Sequence, residues 1–167
     1  MNSKLFLIQF SAISESSLVV GEIKLGFIMT KGLLEVEVIA VRGLPQIRGQ
    51  PPGMRPKSLP QIVFLTLLTA SPLVDTYVKA YLKEGNRHTN KKKTRVVYCS
   101  CNPQYKQTLK YDAALIYGRS LLVMVWHKLK GFEHNTPIGA VDVKVNQLEL
   151  HKLTISWYKL YAVPKPS

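Results

Sequence analysis

Hydrophobic residues recur at every second position along much of this chain, which is the period of a β-strand with one solvated face. The stretch GEIKLGFIMTKGLLEVEVIAV (21–41) predicts two strands joined by a turn at 30–32, with Glu35 and Glu37 on the solvent side. Six more strands are predicted at 75–83, 92–98, 105–112, 120–127, 138–145 and 154–160. Eight strands with little helical signal predict an all-β fold, a β-sandwich.

Two segments depart from the period of two. Residues 146–153 (NQLELHKL) have helical periodicity, with Asn146 as N-cap and Glu149 three residues later, and predict one short helix. Residues 46–72 begin with a basic half whose prolines exclude regular structure. They continue into a mostly apolar run at 62–70, for which a strand, a membrane-touching loop and a simple insertion are alternatives. We interpret 46–72 as a long disordered insertion.

The length of 167 residues suits one domain with tails. We predict a domain over 21–163, interrupted by the insertion, between an N-terminal tail (1–20) and a C-terminal tail (164–167). The tail MNSKLFLIQFSAIS resembles a signal peptide only weakly, because Gln9 interrupts its apolar run and no cleavage motif follows. No stretch reaches the ~18 to 20 apolar residues of a membrane span, so we predict a cytoplasmic protein.

The charge balance narrows the choice of partner. The chain has 23 Lys and Arg against 10 Asp and Glu, a net charge of +13. Such an excess calls for an anionic partner: nucleic acid, anionic lipid or an acidic protein. We do not expect nucleic acid, because the sequence has no pattern of an oligonucleotide-binding barrel, an RNA-recognition motif, a zinc module or a helix-turn-helix.

Neither catalysis nor metal binding is indicated. Cys99 and Cys101 form a C-x-C pair without the two further ligands of a zinc site, and no histidine pair has zinc-ligand spacing. We interpret the cysteines as reduced thiols in or beside the core. No G-x-S-x-G, P-loop, H-E-x-x-H or paired-carboxylate motif is present, so we expect no catalytic residues, no metal and no cofactor.

Several segments resemble, in order, the successive strands of a C2 domain. They are LLEVEVIAVRGLP (33–45), DTYVKAYL (75–82), KKKTRVVYCSCNPQYKQTLKY (91–111), LLVMVWHKLKGFEHNTPIG (121–139) and SWYKL (156–160). The most specific pieces are Asn102-Pro103-Gln104-Tyr105, Ile138-Gly139 and Trp157-Tyr158-Lys159-Leu160. The resemblance implies an eight-stranded antiparallel C2 β-sandwich of Greek-key topology.

Among C2 domains, the chain is most similar to the second, C-terminal C2 domain of the RIM family (regulating synaptic membrane exocytosis). The shared segments are GEIKLGF, KKKTR before the asparagine-proline turn, VMVW and WYKL. This resemblance implies a monomeric domain, peripheral at the cytoplasmic side of the presynaptic plasma membrane. It also implies active-zone partners such as liprins and voltage-gated calcium channels.

The resemblance identifies where calcium ligands would lie. Many C2 domains bind calcium through about five aspartates on two loops, because the ion needs six to eight oxygens. Here the first loop offers Asp75, and the third loop (127–135) has His127 and Leu129 where its paired aspartates would be, with Glu133 as the nearest acid. Two carboxylates among lysines do not make a calcium cage. We therefore predict calcium-independent action and a structural role for Asp75, capping a turn or pairing with a basic neighbour.

The stretch NKKKTRVVY (90–98) places dense positive charge on a predicted strand. Its alternate side chains share one face, and strand 75–83 should pair with it, with Val78, Ala80 and Leu82 toward the core. The opposite faces then predict a concave cationic patch made of Tyr77, Lys79, Lys91, Lys93 and Arg95.

C2 domains that recognise phosphatidylinositol bisphosphate use this β-groove. The resemblance implies that Tyr77, Lys79, Lys91, Lys93, Trp126 and Asn135 bind the lipid, and the patch adds Arg95. Lysines would neutralise the phosphates, while tyrosine and tryptophan would pack on the inositol ring and donate hydrogen bonds. The implied function is calcium-independent binding of anionic phospholipid and scaffolding of a presynaptic exocytosis complex that regulates vesicle release.

Other interpretations remain open. The chain could be a protein-interaction module without lipid affinity. The lysine run could be a solvated face or a protection of an edge strand against aggregation. Trp126 could pack at the base of its loop, and Tyr81 is expected to pack rather than to bind.

Overall fold

The computed structural model describes residues 18–45, 74–132 and 134–163. Within these ranges, eight β-strands form an antiparallel sandwich, which confirms the predicted all-β fold class. They are β1 (Val19–Thr30), β2 (Leu33–Arg42), β3 (Thr76–Glu84), β4 (Arg87–Lys93), β5 (Gln104–Asp112), β6 (Ser120–His127), β7 (Thr136–Val143) and β8 (Thr154–Ala162). The predicted insertion (46–72), the C-terminal tail (164–167) and residues 1–17 of the N-terminal tail lie outside the described residues.

The strands follow the order β4-β3-β6-β7-β8-β1-β2-β5. The link between β7 and β8 is short, since it consists of the pairs Gly139 with Ala162 and Ala140 with Tyr161. The order therefore divides into two layers, β4-β3-β6-β7 and β8-β1-β2-β5, joined by this seam. A side chain at position 139 has no space there, because a Cβ would lie 2.6 Å from a methyl carbon of Val20.

The two layers enclose a core built from alternate residues of their strands. Leu34, Val36 and Val38 of β2 point into this core and are fully buried. The residues between them, Glu35 and Glu37, lie on the outer face as predicted, and Glu35 forms an ion pair with Lys110 of β5. The period of two thus places the inter-sheet core correctly.

The first hairpin closes at the predicted turn. Lys31 and Gly32 separate β1 from β2 and both have left-handed backbone conformations, with φ of 47° and 77°. Two left-handed residues form the kind of tight turn whose twist matches that of the flanking strands.

The predicted strand 92–98 is wrong in its position, because β4 spans Arg87–Lys93. The ladder with β3 stops where the Thr94 hydroxyl accepts a hydrogen bond from the Val78 amide at 3.0 Å. Pairing resumes only as an isolated bridge between Thr76 and Val97. A side-chain hydrogen bond that replaces a ladder bond leaves no trace in hydrophobic periodicity.

The predicted helix at 146–153 is also wrong in extent, because the structure has only a single 3₁₀ turn at Val145–Gln147. The chain beyond it is drawn onto β1, where the Leu150 carbonyl accepts a hydrogen bond from the Met29 amide at 2.8 Å. Leu148 and Leu150 both pack against the core. Burial of residues two apart requires an extended chain, and this tertiary packing overrides the helical pattern.

A buried hydrogen bond joins the two layers near the start of β3. The hydroxyls of Thr76 and Tyr105 are 2.6 Å apart, and both residues are fully buried. We predict that Tyr105→Phe lowers the free energy of unfolding by about 1–3 kcal/mol, because the threonine hydroxyl loses its buried partner. Urea-induced unfolding would measure this change.

The control for this substitution is Tyr117→Phe, whose ring is 93% exposed, and which should change stability by less than about 0.5 kcal/mol. In Thr76→Val/Tyr105→Phe, the loss should be smaller than the sum of the two single losses, since neither hydroxyl is left alone. Additive losses would show that the hydrogen bond does not couple the two layers.

Candidate functional site

Strand β3 presents two different faces. Val78, Ala80 and Leu82 are buried in the inter-sheet core, as predicted. Tyr77, Lys79 and Tyr81 project from the opposite, outer face, because successive side chains of a strand alternate. The predicted pairing of β3 with the lysine-bearing strand is confirmed, although its register differs from the predicted one.

The outer face carries an apolar cluster of its own, distinct from the inter-sheet core. We call it the outer cluster; its buried members are Tyr77, Tyr81, Leu122, Met124, Trp126 and Ala140. The rings of Tyr77 and Trp126 stack with their centroids 6.5 Å apart. Only 6% of Tyr77 and 4% of Trp126 is exposed, so these rings form a floor beneath the groove.

Lys79 lies directly on this floor. Its Nζ is 3.7 Å from the centroid of the Trp126 ring and 5.6 Å from that of Tyr77, within range of cation–π attraction. Burial lowers the pKa of Lys79 to about 8, and the nearby charges of Lys91 and Lys93 act in the same direction. The three lysines of this group are called the lysine triad below.

A β-bulge brings the other two triad members beside Lys79. Lys93 pairs directly with Lys79, whereas Asn90 and Lys91 both lie opposite Tyr81, between the pairs of Ala80 with Lys92 and Leu82 with Thr89. Asn90 has a left-handed backbone with φ of 50°, a conformation that asparagine tolerates better than most residues and that occurs in bulges. The bulge keeps Lys91 and Lys93 on the groove side of an exposed strand.

Asn135 connects the loop after β6 to this floor. Its amide nitrogen donates a hydrogen bond to the Tyr77 hydroxyl at 3.2 Å, and its carbonyl oxygen accepts one from the Leu129 amide at 3.0 Å. Burial raises the pKa of Tyr77, and the bond to Asn135 offsets part of this rise. Asn135 therefore fixes both the tyrosine and the loop.

Arg95 is separated from the triad. The interruption at Thr94 turns the chain, so that the Arg95 amide donates to Gln107 Oε1 at 3.0 Å and its guanidinium lies 3.5 Å from the carbonyl oxygen of Tyr105. Both partners belong to β5. The structure thus brings six of the predicted residues together, namely Tyr77, Lys79, Lys91, Lys93, Trp126 and Asn135, and directs Arg95 elsewhere.

Asp75, the carboxylate of the first loop, caps a turn. It is buried, and its Oδ1 accepts a hydrogen bond from the Cys99 amide at 2.9 Å, while its backbone carbonyl accepts one from the Lys128 amide at 2.7 Å. Glu133 lies outside the described residues. Within the described ranges, no three His, Cys, Asp or Glu side chains lie close enough to hold a metal ion.

The sequence analysis missed Leu122 and Met124, which form the centre of the floor and are fully buried. A signal was present, because strand 120–127 is apolar at almost every position instead of alternating, and such strands are buried on both faces. It also missed two exposed aromatic residues, Tyr98 and Phe132, in the segments that follow β4 and β6. Among the described residues, no helix is long and apolar enough to cross a membrane.

Relatives of known description share most of the chain. Regulating synaptic membrane exocytosis protein 3 of Mus musculus is 33% identical over 141 residues, which is 84% of this chain and 39% of that protein. Regulating synaptic membrane exocytosis protein 1 of Homo sapiens has the same identity over 84% of this chain but only 7% of its own length. The chain therefore spans two fifths or less of these relatives.

Solved structures agree with the architecture. A RIM C2 domain from Drosophila aligns with a TM-score of 0.63 at 22% identity, covering 86% of this chain and 99% of that domain. The third C2 domain of the KIAA1228 protein aligns with a TM-score of 0.62 at 23% identity, over 93% of this chain and 98% of that domain. At such identities the likeness concerns the fold.

The sequence also matches a family directly. Residues 32–160 match the C2 domain family, a span that runs from the first hairpin turn to the last strand and contains the groove, its floor and the lysine triad. Together with the eight-stranded antiparallel sandwich, this match establishes that the chain belongs to the C2 domain family.

Proposed function

We propose that this chain is a calcium-independent C2 module that binds anionic phospholipid, with phosphatidylinositol bisphosphate as its ligand, through the groove above the outer cluster. Lys79, Lys91 and Lys93 would contact the phosphates. Tyr77, Trp126 and Asn135 would hold Lys79 and the loop after β6 in place. Arg95 would add charge beside the groove without belonging to its centre.

The observation that carries this proposal is the crowding of like charge in the lysine triad. Lys79 is half-buried and its pKa is lowered by burial and by the two neighbouring lysines. Among the described residues, none of the three forms an ion pair with a carboxylate, although six such pairs occur elsewhere. Clustered cations without counter-charge cost free energy that an anionic ligand would recover.

Calcium independence is supported by the use of Asp75. Its carboxylate is engaged by the Cys99 amide and is buried, while calcium requires six to eight oxygens around one point. The neighbouring loop contributes Lys128 and Lys130, whose charges oppose a divalent cation.

At the level of the whole protein, we infer a role in presynaptic exocytosis. The chain would correspond to the second, C-terminal C2 domain of the RIM type, on the motifs given above, and would act at the presynaptic plasma membrane with active-zone proteins such as liprins and calcium channels. The names of the relatives, which refer to regulation of synaptic membrane exocytosis, support this inference.

A second candidate function is protein recognition without lipid binding. It is favoured by the burial of Tyr77 and Trp126, which leaves their ring faces unavailable to an inositol ring in this conformation. Lysines alone would then attract an acidic protein surface as readily as a lipid headgroup.

Removal of two triad charges should abolish most membrane binding. Each basic residue near an anionic leaflet contributes about 1 kcal/mol, so Lys91→Ala/Lys93→Ala should weaken binding to vesicles containing phosphatidylinositol bisphosphate by roughly 30-fold. Co-sedimentation with such vesicles at about physiological salt, with calcium and with chelator, would measure this loss. Binding of the native chain should be equal in both media.

The matched control is Lys110→Ala/Lys152→Ala, which removes the same charge from two exposed ion pairs outside the groove and should weaken binding much less. Equal loss in both double variants would reduce the effect to net charge. Binding only with calcium would contradict our interpretation of the loops, and no vesicle binding by the native chain would favour protein recognition.

Membrane binding should also weaken as the pH rises through 8. Lys79 has a pKa of about 8 in the free protein, so it is mostly charged at pH 7 and mostly neutral at pH 9. Loss of one positive charge should reduce affinity by at most about 5-fold. Vesicle binding at the two pH values, at constant ionic strength, would detect this change.

Lys79→Arg separates this effect from titration of the lipid, because a guanidinium stays charged throughout this range. The native chain should lose more affinity between pH 7 and pH 9 than the arginine variant. Identical pH profiles for the two proteins would show that Lys79 does not contact the anion.

A further inference from the structure

A second basic site lies at one end of the sandwich, beyond the lysine triad along the same strand. The site is a cavity of about 350 Å³ formed where the β3–β4 turn, the start of β6 and the residues after β7 meet. We call it the end pocket; its polar lining residues are Lys83, Asn86, Arg119, Ser120, Lys144 and Asn146. Among the described residues that line it, three are cationic and none is acidic.

The cations of the end pocket are held in place by carboxylates outside its lining. Lys83 Nζ lies 2.8 Å from Asp142 Oδ2, and both side chains are only 13% exposed. Lys144 approaches the same oxygen at 3.7 Å. Pairing at the rear fixes the position of each ammonium group while leaving N–H groups available to a ligand.

Arg119 is fixed in a similar way. Its Nε lies 3.2 Å from Glu84 Oε2, and its Nη1 donates a hydrogen bond to the Leu115 carbonyl at 2.8 Å. These contacts engage Nε and Nη1, so Nη2 remains for a ligand. A guanidinium positioned by two groups loses little rotational freedom when it binds an anion.

The charge of the end pocket selects the class of ligand. Three cations and the two carboxylates that pair with them leave a net charge of +1, which gives weak attraction for a monovalent anion. A phosphate monoester carries nearly two charges and several acceptor oxygens. It suits a site with one arginine, two lysines and neutral donors from serine and asparagine.

The end pocket is separate from the groove. Lys83 projects from the same face of β3 as Lys79, four residues further along, which corresponds to about 13 Å. This distance exceeds the reach of a single phosphate group between the two sites.

We propose that the end pocket binds phosphate monoester groups of a small multiply phosphorylated polyol, independently of the groove. Lys83, Arg119 and Lys144 supply the charge, and Ser120, Asn86 and Asn146 supply neutral hydrogen bonds. The ligand is either a soluble inositol phosphate or the headgroup of a phosphoinositide, which share this chemistry.

Titration of the isotope-labelled full chain with inositol trisphosphate, followed by backbone amide chemical shifts, tests the proposal. Amides of Asn86, Gly118 and Asn146 should shift saturably. In Arg119→Gln/Lys144→Gln these shifts should require at least about 10-fold more ligand, as expected for the loss of two charged contacts, whereas Lys91→Ala/Lys93→Ala should leave them unchanged. Failure of the groove and failure of the end pocket are therefore distinguished by separate sets of amides.

Lys110→Gln/Lys152→Gln is the matched control and should leave the end-pocket shifts intact. Unchanged thermal unfolding of the Arg119→Gln/Lys144→Gln protein would show that it remains folded, and Lys144→Gln alone provides a milder variant. The proposal is overturned if these amides do not shift saturably, or if they shift equally in the native, pocket and control proteins.

A competition with vesicles distinguishes the two ligand sources. If vesicles containing phosphatidylinositol bisphosphate restore the amides of the end pocket to their membrane-bound positions in the presence of inositol trisphosphate, the site takes the lipid headgroup. If the trisphosphate stays bound when vesicles are present, the site takes the soluble form. Both results support phosphate binding at this site.

Discussion

The groove depends on a lysine that has no alternative position. β3 is buried on both faces, with its even-numbered residues in the inter-sheet core and Tyr77 and Tyr81 in the outer cluster. Lys79 lies between these two tyrosines, so its stem follows an apolar surface and its ammonium lies against Trp126. Attraction to the ring, on the order of 0.5–2 kcal/mol, offsets part of the cost of lost hydration, while Lys91 and Lys93 add repulsion.

This balance explains why the aromatic residues matter without touching a ligand. A flexible lysine on a solvated strand would spread its charge over a wide volume, and its ordering would cost free energy on binding. Trp126 and Tyr77 confine the charge of Lys79, and Asn135 confines Tyr77. The rings therefore determine where the positive potential is greatest, and the exposed lysines of β4 determine how strong it is.

The two strands of the groove differed in how far their sequences predicted them. The alternation in DTYVKAYL assigned every residue of β3 to the correct face, because packing on both sides enforces that period. The register of β4 was missed because it depends on a left-handed asparagine and on a threonine hydroxyl that replaces a ladder bond. Both are local backbone events, and charged residues such as Lys91 carry no hydrophobic period that would reveal them. Arg95 was misplaced for the same reason, whereas Asn135 was identified by resemblance and its contact with Tyr77 required coordinates.

The seam between the layers gives the short Ile138-Gly139 motif a physical meaning. β7 and β8 are hydrogen-bonded over only two residue pairs, and Gly139 is one of them, with Val20 and Leu160 in contact on either side. Any larger residue at 139 would push β1 and β8 away from β7 and widen the core along its whole length. Position 139 is therefore not free to vary independently of positions 20 and 160, and an evolutionary substitution at one of the three would be accepted only together with a compensating loss of volume at another.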